Sequence, residues 1–110
     1  AAGGRRHRAA HVAYTHPGGS KPPTATNQDV YFAYKLDECN QVFGVLDGHG
    51  GDNGAFVASV AARTIEQFLA RNFDRLRTEP EGVLTDAFEL AHATVRTELL
   101  AAQASERSYP

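Results

Sequence analysis

The stretch Phe43-Gly44-Val45-Leu46-Asp47-Gly48-His49-Gly50-Gly51-Asp52-Asn53-Gly54-Ala55 limits the possible folds more than any other part of the chain. An apolar run drives into an aspartate, then into a glycine-dense turn that holds one histidine. An alanine-rich pattern of helical period follows. The order reads as a buried strand, a tight turn and a helix start, because glycine takes positive φ at little cost and lets other groups come close. A carboxylate, an imidazole and open backbone are thereby gathered where a strand meets a helix.

Upstream, Val30, Phe32, Tyr34 and Leu36 alternate with Tyr31, Ala33 and Lys35, the period of a half-buried strand. Gln41 to Leu46 forms a second strand, apolar enough to be buried on both faces. The short polar break Asp37-Glu38-Cys39-Asn40 between them makes the pair an antiparallel hairpin. With Leu36 facing Gln41, Asp29 lies opposite Gly48 and Asp47 opposite Val30. The two aspartates then share one end of the hairpin but point to opposite faces. A one-residue bulge would put them on the same face, and the sequence leaves both arrangements open. Further upstream, Ala9 to Thr15 is weakly strand-like. His16 to Thr26, with Pro17, Gly18, Gly19, Pro22 and Pro23, is a loop.

Downstream, Asp52 or Asn53 can cap a helix. Val57, Ala61, Ile65, Phe68, Leu69 and Leu76 recur at spacings of three and four and mark an amphipathic helix of about six turns. Thr78 to Gly82 breaks it. Leu84, Phe88, Ala91, Val95 and Leu99 mark a second helix, to about Gln103, antiparallel to the first. The fold class is α+β: antiparallel strands followed by a long antiparallel helix pair packed on one face of the sheet. The apolar stripes call for more sheet than about three strands supply. Residues 9–110 are therefore expected to be the first portion of a larger domain, behind a basic, solvated tail at residues 1–8. The chain starts without methionine and stops directly after a helical pattern, so both ends read as cut.

Composition closes off several functions. A net charge of −2 gives no global electrostatic case for nucleic acid or an acidic membrane. No apolar run approaches the ~20 residues of a membrane span. Cys39 is the one cysteine and cannot form an internal disulfide, which points to a reducing compartment such as cytoplasm or nucleus. A dinucleotide-binding fingerprint would need glycine where Asn53 stands. A calcium loop starting at Asp47 would need Asp or Asn at His49 and Glu at Ala58. Zinc spacing is absent, and Cys39 at a hairpin tip reads as incidental.

The chemistry then rests on Asp29 and Asp47. Close carboxylates repel and lose hydration. A divalent cation resolves the conflict, with oxygen ligands from Asp29, Asp47 and the Gly48 carbonyl suiting magnesium or manganese. Such an ion lowers the pKa of a bound water and holds a phosphoryl group, and His49 can protonate a leaving oxygen. Singly, each residue has a plainer reading: a strand-end aspartate as a turn residue, a loop histidine as a solvated side chain. Their coincidence, with an aspartate across the hairpin, raises the functional reading level with the plainer one.

Val45-Leu46-Asp47-Gly48-His49-Gly50-Gly51, preceded by Asn27-Gln28-Asp29, resembles the start of the metal-dependent type-2C serine/threonine protein phosphatases, over roughly residues 9 to 105. The resemblance implies a β-sandwich flanked by helix pairs (an αββα sandwich, here partial) and two Mg²⁺ or Mn²⁺ ions. Asp47 would bridge the ions, Gly48 would ligate one through its carbonyl, and Asp29 would hold a metal-bound water. Gln28 takes the metal-site position where many members have glutamate. His49 would be the general acid, and a phosphoprotein the substrate. Many members carry a phosphate-binding arginine where Thr24 stands, and the nearest cation, Lys21, is the candidate for that role. The family's later metal-binding aspartates have no counterpart in residues 50 to 110, since Asp74 and Asp86 sit in the helical hairpin. The implied function is hydrolysis of phosphoserine or phosphothreonine by a metal-bridged hydroxide, with this chain inactive alone. The alternative is a non-catalytic member serving as a binding or scaffold subunit of a larger assembly.

Overall fold

A computed structural model describes residues 12–16, 27–51 and 53–107. Their elements are strand β1 (Val30–Lys35), strand β2 (Gln41–Leu46) and helices α1 (Gly54–Arg71), α2 (Phe73–Thr78) and α3 (Pro80–Arg107). The strands form an antiparallel hairpin, so the chain is α+β, a hairpin followed by packed helices. Among residues 12–16 there is no regular structure in place of the expected first strand, whose residues 9–11 lie outside the described ones.

The hairpin register differs by one residue from the expectation. Lys35 pairs with Gln41 and Val30 with Leu46, because Leu36 belongs to the loop. Its N–H donates to the Asn40 carbonyl at 2.9 Å. The Asp37 carboxylate accepts from the N–H groups of Cys39 and Asn40 at 2.7 and 2.8 Å, a local turn that fixes the loop length. Continued one rung past Val30 and Leu46, this register sets Asp29 directly opposite Asp47, and one rung further it sets Gln28 opposite Gly48.

One face of the hairpin is buried. Phe32, Tyr34, Val42 and Leu46 pack against the core, and the Phe32 ring lies over Gly44 so closely that a Cβ there would fall 2.2 Å from Cε1. The Tyr34 hydroxyl donates to the Glu66 carbonyl at 3.1 Å. Burial, and secondarily the Glu66 charge, push this phenol above its ordinary pKa. On the other face Phe43 and Val45 are 53% and 82% exposed, so β2 is not buried on both faces as its composition suggests.

Asn53 stands at the α1 N-cap without a side-chain bond, and the helix opens through backbone, Gly54 N–H to the Gly50 carbonyl at 3.0 Å. The expected six-turn helix is interrupted at Asn72. Its side-chain amide and backbone N–H both donate to the Phe68 carbonyl, at 2.9 and 3.0 Å. Asparagine competes with the helix ladder in this way, and the chain restarts as α2. α3 begins earlier than expected. Proline disfavours helical backbone at Glu79 but suits the first helical position itself, so Pro80 starts the helix.

α3 packs on α1 rather than on the sheet. Arg63 of α1 pairs with Glu98 and Arg75 of α2 with Asp86, so the order rises along α1 and α2 and falls along α3, which makes the packing antiparallel. Val83, Ala87 and Ala91 meet Ile65 and Leu69 in the core. The expected stripe is therefore rotated: Ala91 is buried, but Leu84 and Phe88 are exposed, Phe88 by 64%. Spacing of four with two alanines builds a smooth ridge that lets the axes approach, and close packing wins over the larger side chains. Burying Leu69, 1% exposed, contributes roughly 1.5–3 kcal/mol. At the far end of the hairpin, Arg77 pairs with Asp37 and lies over the Phe73 ring, 4.2 Å from its centroid, tying the loop to α2.

Candidate functional site

β1 and β2 deliver Asp29 and Asp47 to the same end of the hairpin, and the turn from Gly48 to Gly54 carries the chain into α1. Gly50 takes φ +86°, the conformation that lets the chain reverse. Gly48 is required for a different reason. A Cβ on it would fall 2.5 Å from the Gln28 carbonyl oxygen and 2.6 Å from that of Gly54. Two backbone segments close on this residue, so the start of α1 and the approach to β1 meet at Gly48.

The imidazole of His49 places Nε2 3.3 Å from Asp47 Oδ1, with both side chains largely exposed. Solvent weakens that contact, which orients the ring more than it stabilises the fold. The Asp29 N–H donates to Asn27 Oδ1 at 3.1 Å, and Asn27 Nδ2 donates to Thr15 Oγ1 at 2.5 Å, so the approach to β1 is tied to the preceding segment. A cleft of about 520 Å³ lies alongside, lined by Asp29, Val12, Tyr14, Tyr31 and Phe43 among others.

The structure corrects the metal expectation. Among the described residues no three or more histidine, cysteine, aspartate or glutamate side chains group so that they could hold a metal ion. The reasons are local. The expected ligands Asp29 and Asp47 are the carboxylates at this hairpin end, and His49 leans on Asp47. The Gln28 amide is drawn to the turn, its Nε2 donating to the Gly51 carbonyl at 2.7 Å. Asp37 and Asp86 are engaged with Arg77 and Arg75 elsewhere. The expected pair of Mg²⁺ or Mn²⁺ ions, with the Gly48 carbonyl as a ligand, therefore has no ligand set here. Lys21, the candidate for phosphate, and Asp52, a candidate cap, lie outside the described residues.

The sequence reading missed two features of this end. Gln28 braces the turn, and Phe32 occupies the space over Gly44. A glycine inside an otherwise apolar strand was the available signal for the second, since such a glycine marks a close approach. Comparison of the chain with protein-family models, with characterised proteins and with solved structures finds no match.

Proposed function

We propose that the chain is the first part of a type-2C-like serine/threonine protein phosphatase domain, with a phosphoprotein as substrate, and that these residues alone do not turn it over. The observation that carries the reading is the register that sets Asp29 opposite Asp47, next to a histidine in contact with Asp47. In that role His49 would give its proton to the serine or threonine oxygen as the bond to phosphorus breaks and water supplies the new oxygen. Asp47 would hold the imidazole in place. Val45, 82% exposed on the outer face of the hairpin, supports a second layer over this sheet, as in an αββα sandwich.

A second reading, a non-catalytic binding subunit, is favoured by the absence, among the described residues, of a three-ligand acidic group and by the Gln28 amide being engaged with Gly51. A phosphoserine peptide assay on the natural full-length protein separates the two. The phosphatase reading predicts release of phosphate that His49→Ala lowers at least tenfold. Absence of release from folded full-length protein would leave the binding reading.

A further inference from the structure

We propose that Gln28 is the positioning residue of this site: its side-chain amide clamps the Gly48–Gly54 turn and so fixes where Asp47 and His49 stand. What Asp47 and His49 do there rests on the proposed function; the clamp itself does not.

Within the turn itself, the Gly54 N–H donates to the Gly50 carbonyl at 3.0 Å. A Cβ on Gly50 or Gly51 would meet nothing within 4 Å. Asn53 contributes no side-chain cap to α1. Gln28 reaches the turn from the approach to β1. Its Nε2 donates to the Gly51 carbonyl at 2.7 Å, across 23 residues of chain. Its carbonyl oxygen lies 2.5 Å from the site of a Gly48 Cβ, and its Oε1 lies 2.5 Å from that of a Gly54 Cβ. The residue that leads into β1 thus bonds the turn at Gly51 and lies close to Gly48 and Gly54. Register explains how: Gln28 is the rung opposite Gly48, and the two glycines it touches lack the side chains that would push it away.

The clamp requires a donor. A carboxylate only accepts, so glutamate at this position would set a charged acceptor against the Gly51 carbonyl with the same shape and no hydrogen bond. The turn would open, and Asp47 and His49 would lose their fixed relation.

NMR of the whole chain tests this without measuring turnover, so failure of the phosphatase reading leaves the result intact. A scalar coupling between the Gln28 side-chain ¹⁵N and the Gly51 carbonyl carbon is the direct signature of the bond. In Gln28→Glu the amide signals of Asp47 to Gly54 and the ring signals of His49 shift, and hydrogen exchange at the Gly54 amide accelerates at least tenfold. Signals of the hairpin loop and α3 stay in place. Should Gln28→Glu not fold, Gln28→Ala, which leaves the Gly51 carbonyl to water, gives the same confined pattern. Unchanged turn signals in either folded variant would overturn the proposal, as would shifts spread equally over the hairpin loop and α3.

Discussion

Gly48→Ala is the sharpest test of how the strand-to-helix turn is built. The new methyl carbon would sit 2.5 Å from the Gln28 carbonyl oxygen and 2.6 Å from the Gly54 carbonyl oxygen. Carbon and carbonyl oxygen ordinarily approach no closer than about 3.3 Å. Both obstacles are main chain, so no side-chain rotation relieves the overlap and β1 must part from α1. Overpacking of this kind costs about 1–3 kcal/mol, and main-chain obstacles place the value toward the top of that range. For a domain of this size each kcal/mol lowers the melting temperature by about 4–8 °C, which gives a drop on the order of 10–20 °C. Two neighbours serve as controls. Gly51→Ala meets nothing within 4 Å and has no positive φ, so its melting temperature stays within about 4 °C of the parent, the effect expected of a surface change of ~0.5 kcal/mol. Gly50→Ala also meets nothing, but carries φ +86° and loses about 1–2 kcal/mol to conformation alone. Thermal unfolding followed by circular dichroism should rank the three in the order Gly48, Gly50, Gly51. A Gly48→Ala protein as stable as Gly51→Ala would refute the reasoning.

Three further outcomes follow. Gly44→Ala puts a carbon 2.2 Å from the Phe32 ring and destabilises by about 1–3 kcal/mol; in urea unfolding, Phe32→Leu in the same chain restores part of the loss. Asp37 is held below the usual carboxylate range by hydrogen bonds from the Asn40 side chain and the Cys39 N–H, with a smaller contribution from Arg77. A depressed folded-state pKa stabilises fully above the unfolded value and is lost as pH falls through the folded one, so the hairpin weakens below about pH 4, and Asp37→Asn flattens that acid limb in a pH series of unfolding curves. Because the described acids form no three-ligand group, EDTA leaves the melting temperature of this chain unchanged, and a shift of several degrees would contradict that finding.

Period and turn chemistry made the elements legible: alternation announced β1 and β2, glycines announced the turn, and threefold and fourfold spacings announced the helices. What was not legible depended on competition among neighbours. Leu36 looks like the last strand residue, but the Asp37 carboxylate draws Cys39 and Asn40 into a turn and takes Leu36 with it. That single residue moves Asp29 from opposite Gly48 to opposite Asp47. Leu84 and Phe88 look like core by hydrophobicity, yet Ala87 and Ala91 allow the closer helix approach and win the interface. Carboxylate repulsion at the hairpin end suggested an ion, whereas a neutral amide braces the turn, and pairwise spacing in a sequence does not reveal which donor reaches which carbonyl.

Cross-linking tests most directly whether Asp29 and Asp47 face each other. In a Cys39→Ser background, Asp29→Cys with Asp47→Cys would occupy opposed positions, whose Cα atoms stand about 4.5–5.5 Å apart in an antiparallel pair, within the range a disulfide spans. Val30→Cys with Asp47→Cys would occupy opposite faces. Mild oxidation should close the first pair and leave the second as free thiols. Closure of the Val30–Asp47 pair instead, with Asp29 and Asp47 unlinked, would mean that the hairpin is shifted by one residue and that the two carboxylates do not meet.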